Sequence, residues 1–163
     1  GTAEAHFTNT YEPYLSVTIT KKVVGDMGDT TKNFSFTATL DTTQIRQGSA
    51  YTTAGDGAAL TDTGFTLRSG GSVTLTHLRA DQTLTLTETD PGDHTVSWQL
   101  NGDDGPTGAT CTIQVPRTQP AEITCINTRN VGIPTGLHTG AAPYLALVGL
   151  CWLGWRLLRC REV

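Results

Sequence analysis

A chain of 163 residues with a formal net charge of −4 and a pI near 5.4 is long enough for one compact domain with further segments at its ends, and it gives no electrostatic reason to bind nucleic acid. Threonine makes up about a fifth of the residues and 18 are glycine, against a single methionine, which disfavours a helical protein and favours short strands joined by tight turns. His6, His77, His94 and His138 are dispersed along the chain, so neither a metal nor a cofactor is expected.

In chain order, Gly1 is neither an initiator methionine nor part of a secretory signal, and the chain is expected to be the C-terminal piece of a longer exported protein. Phe7-Thr8-Asn9-Thr10 returns as Cys125-Ile126-Asn127-Thr128 about one domain length later. The repetition reads as tandem modules, with residues 1–12 the last strand of a preceding one. The complete module is expected at 14–129, with strands at 15–24, 33–40, 64–68, 72–77, 83–89, 94–100, 109–115 and 121–128. Turn chemistry separates them at Gly25-Asp26, Ser69-Gly70-Gly71, Asp90-Pro91-Gly92, Asn101 to Gly105 and Pro116 to Pro120. The stretch from Asp41 to Thr63 has weaker periodicity and is expected to be a long surface loop or small subdomain. Asn101 to Gly105 lacks calcium-ligand spacing and a closing glutamate, and is read as a solvated hairpin. Strands of this length and spacing predict an all-β, immunoglobulin-like two-sheet sandwich.

Three polar residues interrupt that pattern on its apolar side. Strand alternation puts Lys21 in step with Leu15, Val17, Ile19 and Val23, Glu88 in step with Leu84 and Leu86, and Asn127 in step with Ile123 and Cys125. Lys22 has the opposite phase and is expected in solvent. A buried lysine, glutamate and asparagine are costly unless they satisfy one another. They also form a reactive set, because a neutral amine can attack a carboxamide that a protonated carboxylic acid polarises. A buried Lys21–Glu88 ion pair hydrogen-bonded to Asn127 is the unreactive alternative. Cys111 and Cys125 are also inward by phase. If the 116–120 turn pairs Val115 with Ala121, they lie opposite one another; an exported location permits a disulfide there, with two buried thiols as the alternative.

After Asn130 the character of the chain changes. Residues 130–142 read as a linker containing Gly132-Ile133-Pro134-Thr135-Gly136, and 143–158 as an apolar run expected to form a single transmembrane helix. Arg156, Arg159 and Arg161 place the short tail 159–163 in the cytoplasm. Packing of the apolar run on the domain as a buried helix is the alternative. No Ser-His-Asp set, phosphate-cradling loop or pair of catalytic carboxylates can be named, so turnover catalysis is not expected.

Taken together, Ile19-Thr20-Lys21-Lys22-Val23-Val24-Gly25, Thr85-Leu86-Thr87-Glu88 and Cys125-Ile126-Asn127-Thr128 resemble the opening, central and closing motifs of the FctA-like pilin domain. This is an isopeptide-forming, pilin/Cna-B-like domain of Gram-positive pilins and surface adhesins. The resemblance covers nearly all of 14–129; Cys125-Ile126 departs from the family's Phe-Thr. It implies an intramolecular amide between Lys21 and Asn127 with Glu88 as catalyst. Residues 132–136 resemble a sortase sorting motif of the Pro-Thr-Gly kind, with Gly132 atypical at its first position. That implies cleavage between Thr135 and Gly136 and transfer of Thr135 to an amine of peptidoglycan or of a pilin, after retention in the cytoplasmic membrane. The expected protein is thus the wall-proximal stalk of a cell-surface adhesin or pilin. A sortase-polymerised pilin subunit and a module binding a host ligand are the alternatives, and in such proteins the host ligand usually belongs to upstream domains.

Overall fold

The computed structural model describes residues 6 and 12–132. Its elements are all strands: β1 (Leu15–Val24), β2 (Phe34–Leu40), β3 (Thr43–Ile45), β4 (Thr52–Ala54), β5 (Ala58–Thr61), β6 (Gly64–Leu67), β7 (Ser72–Leu78), β8 (Thr83–Glu88), β9 (Thr95–Leu100), β10 (Asp103–Thr107), β11 (Thr110–Gln114) and β12 (Ala121–Thr128). They form two sheets, ordered β10-β9-β12-β1-β7-β4 and β11-β8-β2-β6-β5, with β3 paired to β2. The period-two pattern builds the layers. In β2, Phe34, Phe36, Ala38 and Leu40 are buried while Ser35, Thr37 and Thr39 are only partly covered. The inward sets of the two sheets meet in one core that includes Val17, Ile19, Leu75, Leu86, Trp98 and Ile123.

The first and last strands are neighbours and run parallel, with Val17 opposite Ala121 and Val24 opposite Thr128. Parallel partners require a long crossover, and here nearly the whole module supplies it. At the end of this pair, Arg129 N–H donates to Val24 O at 3.1 Å and Met27 N–H donates to Arg129 O at 3.0 Å. The closure requires glycine: Gly25 has φ +95°, and a Cβ there would lie 2.3 Å from Arg129 O.

The eight expected strands are present with small shifts at their ends. Residues 41–63, expected to be a long surface loop or small subdomain, hold three short strands, β3 pairing with β2, β4 with β7 at the edge of one sheet and β5 with β6 at the edge of the other. Strands this short carry too little periodicity to stand out, yet they cover edges of longer strands. The Asn101 to Gly105 hairpin is present. Asn101 and Gly102 take φ +52° and +89°, the left-handed pair that a two-residue hairpin turn favours.

The pairing of 109–115 with 121–128 that a hairpin at 116–120 would give does not occur. β11 pairs with β8, placing Cys111 opposite Leu86, whereas β12 lies between β1 and β9 in the other sheet. The backbone of Val115 is already engaged, donating to Gln82 O at 2.9 Å and accepting from Asp81 N at 3.0 Å. The 116–120 segment therefore crosses between sheets instead of closing a hairpin. Except for His6 and Glu12, the expected preceding-module strand at 1–12 lies outside the described residues, as do Ile133, Pro134, Thr135, Gly136, the apolar run 143–158 and the tail.

Candidate functional site

Lys21, Glu88 and Asn127 are the buried polar and charged residues of the described chain, with relative exposures of 0%, 1% and 0%. Lys21 and Asn127 project from the same sheet. Lys21 on β1 opposes Cys125, and Asn127 on β12 opposes Val23, so the two side chains are diagonal neighbours on adjacent strands. Glu88 comes from the facing sheet at the end of β8, opposite Phe36. The sandwich thus brings an acid down onto an amine and a carboxamide.

Lys21 Nζ donates to Glu88 Oε1 at 3.1 Å, and Asn127 Nδ2 donates to the same oxygen at 2.8 Å. Phe34 and Phe36 form an aromatic wall, with Lys21 Nζ 4.4 and 5.5 Å from their ring centroids. Phe34 is braced edge-on by His94 at 5.4 Å, and Phe36 stacks on Phe65 at the same separation. Beyond these rings, Trp98 is buried and donates Nε1–H to Gly108 O at 2.8 Å. Water is kept from the cluster, and its electrostatic interactions act at a low local dielectric. Lys22 points to solvent, in keeping with its phase.

Cys125 completes the cluster. Its Sγ accepts from Lys21 Nζ at 3.3 Å and lies 3.5 Å from Glu88 Oε2 and 3.9 Å from Asn127 Oδ1. Burial pushes this thiol up to about 12; Lys21 acts to lower it and Glu88 to raise it. Burial also raises the Cys111 thiol. Both cysteines are free. The proposed opposition of Cys111 and Cys125 on paired strands is corrected by the sheet order, which assigns them to different sheets.

The three inward polar positions were legible from strand phase, and the structure brings all three together. The contact of Cys125 with each of them was not. Its inward phase was visible, but its alignment with Lys21 depends on the parallel pairing of the two terminal strands. The aromatic wall was likewise visible only as the apolar face of residues 34–40.

The comparisons with known proteins agree with this architecture. Residues 15–129 match the model of a family described as a domain of unknown function, DUF7601. The chain is 28% identical over 150 residues to a pilin of Streptococcus pyogenes serotype M1, covering 81% of this chain and 44% of that protein. It therefore spans less than half of that relative. Among solved structures, the major pilin of Streptococcus pyogenes superposes with a TM-score of 0.53 at 24% identity, over 71% of this chain and 48% of that one. A Mobiluncus mulieris adhesin, described as containing intramolecular disulfide, isopeptide and ester cross-links, superposes with a TM-score of 0.51 at 19% identity, over 71% and 41%. The chain belongs to the DUF7601 family, and the fold of its module is like that of the Streptococcus pyogenes major pilin.

Proposed function

We propose that this module is a tension-carrying stalk domain of a Gram-positive surface pilin or adhesin. In this reading its terminal strands become joined by an amide between Lys21 Nζ and Asn127 Cγ, formed within the domain with Glu88 as acid–base catalyst. The supporting observation is the meeting of Lys21, Glu88 and Asn127 in one dry cluster, with the amine and the carboxamide on adjacent parallel strands.

Transfer of one proton from the Lys21 ammonium to the Glu88 carboxylate gives the neutral amine and the carboxylic acid that the reaction needs. The Lys21 amine then attacks Asn127 Cγ. Half a turn of the carboxamide about its Cβ–Cγ bond presents Oδ1 to Glu88 Oε1, whose proton polarises the carbonyl. A proton from the amine passes through Glu88 to Nδ2, the Cγ–Nδ2 bond breaks, and ammonia leaves. One C–N bond forms, one breaks, and Glu88 regains its proton. The reaction occurs once per molecule, so it is maturation and not turnover.

The bridge explains the use of a stalk. Tension entering before Leu15 and leaving after Thr128 pulls β1 and β12 past each other along their shared ladder. With the amide in place, that tension runs through the side chains of Lys21 and Asn127, and the residues between them are shielded. In the same reading the protein is attached at the cell surface through Ile133-Pro134-Thr135-Gly136, cleaved by a sortase between Thr135 and Gly136. The membrane holds the chain until transfer to a peptidoglycan or pilin amine, and any host ligand is bound by upstream domains.

A second reading, a sortase-polymerised pilin subunit, is favoured by the match to a streptococcal pilin. Lys22, exposed on β1, would be its acceptor amine. Mass spectrometry tests both. An intact chain lighter by one ammonia, about 17 Da, with a peptide joining Lys21 to Asn127, supports the internal cross-link. A full mass in folded protein rejects it. Lys22 joined to a second chain's Thr135 identifies the polymer.

A further inference from the structure

Glu88 presents two oxygens to the cluster, and their partners differ. Oε1 receives both Lys21 Nζ and Asn127 Nδ2, at 3.1 and 2.8 Å. Oε2 receives the Cys125 thiol at 3.5 Å. A protonated carboxylic acid has one O–H donor and one oxygen that acts only as an acceptor, so catalysis by Glu88 depends on which oxygen carries the proton. With the proton on Oε2, it would point away from the carboxamide.

We infer that Cys125 is a positioning residue for the amide-forming reaction. Its S–H donates to Glu88 Oε2 and leaves the acid's proton on Oε1, the oxygen turned toward Lys21 and Asn127. The inference rests on the cross-link reading above and adds to it a residue whose type departs from the motif that the other three match.

Three observations support the assignment. The thiol has one proton, and Glu88 Oε2 at 3.5 Å is a nearer acceptor than Asn127 Oδ1 at 3.9 Å. Burial pushes the thiol up to about 12, so Cys125 keeps its proton across the physiological range and acts as a donor, not as a rival nucleophile. Its sulfur also accepts from Lys21 Nζ at 3.3 Å, which restrains the amine beside the acid. The register makes these contacts possible, since Cys125 lies directly opposite Lys21 and two residues before Asn127 on the same face.

Donor and volume are separated by two substitutions. Cys125→Val retains an apolar, strand-compatible side chain and removes the donor; Cys125→Ser retains a donor in a smaller volume. The full chain and both variants are made by cell-free synthesis, quenched in acid at timed intervals and weighed intact, with folding followed by circular dichroism. Cys125→Val is expected to slow ammonia loss at least about tenfold, as misplaced reacting groups do, while Cys125→Ser recovers most of the rate. If the valine variant matches the wild-type rate, or rates follow volume so that valine exceeds serine, the assignment of Cys125 is overturned and the cross-link stands. If the wild-type chain folds with no loss of ammonia, the cross-link itself is overturned and this assignment with it.

Discussion

Lys21 and Asn127 lie on neighbouring parallel strands two residues out of register, Lys21 facing Cys125 and Asn127 facing Val23. That offset lets a long amine reach diagonally to a short carboxamide while Glu88 closes over both from the other sheet. It also makes the first and last strands of the module the two ends of one potential bridge.

The bridge should show itself mechanically. A chain held at Tyr14 and at Thr128 and pulled in a single-molecule force experiment is expected to give no full unfolding step. Asn127→Ala should release the intervening segment of roughly 100 residues, an extension of about 350 Å. A step of that size in the unsubstituted chain contradicts the stalk reading.

Removing the acid should have two separable effects. Glu88→Ala is expected to abolish ammonia loss and to leave the Lys21 amine buried without its carboxylate, a loss of about 3–5 kcal/mol if the amine stays charged. Intact mass reports the first effect, and urea unfolding compared with the equally unlinked Asn127→Ala chain reports the second. Retention of the mass deficit in this variant would remove Glu88 from the reaction.

Closing a loop of about 100 residues restricts the unfolded chain and is worth roughly 4–5 kcal/mol by analogy with disulfides. Thermal unfolding of Asn127→Ala should therefore begin well below that of the linked chain, by about 15–20 °C for a domain of this size. Equal melting temperatures for linked and unlinked protein would show that the bridge adds nothing to equilibrium stability.

Gly25 makes a prediction independent of the chemistry. Its φ of +95°, and the mere 2.3 Å that would separate a Cβ from Arg129 O, leave no room for alanine without moving the junction of β1 and β12. Gly25→Ala should cost at least about 1–2 kcal/mol in urea unfolding. An unchanged midpoint would mean that this junction relaxes freely.

The Cys125 thiol gives stability a definite pH dependence. It is raised from 9.0 to about 12 on folding, chiefly by burial, so the unfolded state releases this proton first. The stabilising contribution is full below pH 9 and is lost as pH rises toward 12, with a slope of at most about 1.4 kcal/mol per pH unit. Urea titrations between pH 8 and 11 should show a decline that is shallower in Cys125→Val. Identical slopes would assign the alkaline loss to other groups.

Much of the site was visible before any tertiary information. Alternation is a local property with period two, so Lys21, Glu88 and Asn127 could each be placed on an inward face by counting along a single strand. The same count placed Lys22 outside, and the Asn101-Gly102 pair marked a hairpin through its own backbone preference. Residues 52–54 and 58–61 were illegible because three or four residues carry little period and their strand character comes from the edges they cover.

What the chain's own pattern decided is which side of each strand faces inward; what only the folded sandwich decided is which strand lies beside which. Pairing depends on competition among distant backbone groups. Val115, engaged by Asp81 and Gln82, was withdrawn from the hairpin that its sequence position suggested. Residues 121–128 lie beside β1 and not β11, which aligns Cys125 with Lys21 instead of Cys111 and sets Asn127 on the strand next to the amine. Phase could nominate the members of the cluster, but the long-range hydrogen bonding of the terminal strands assembled it.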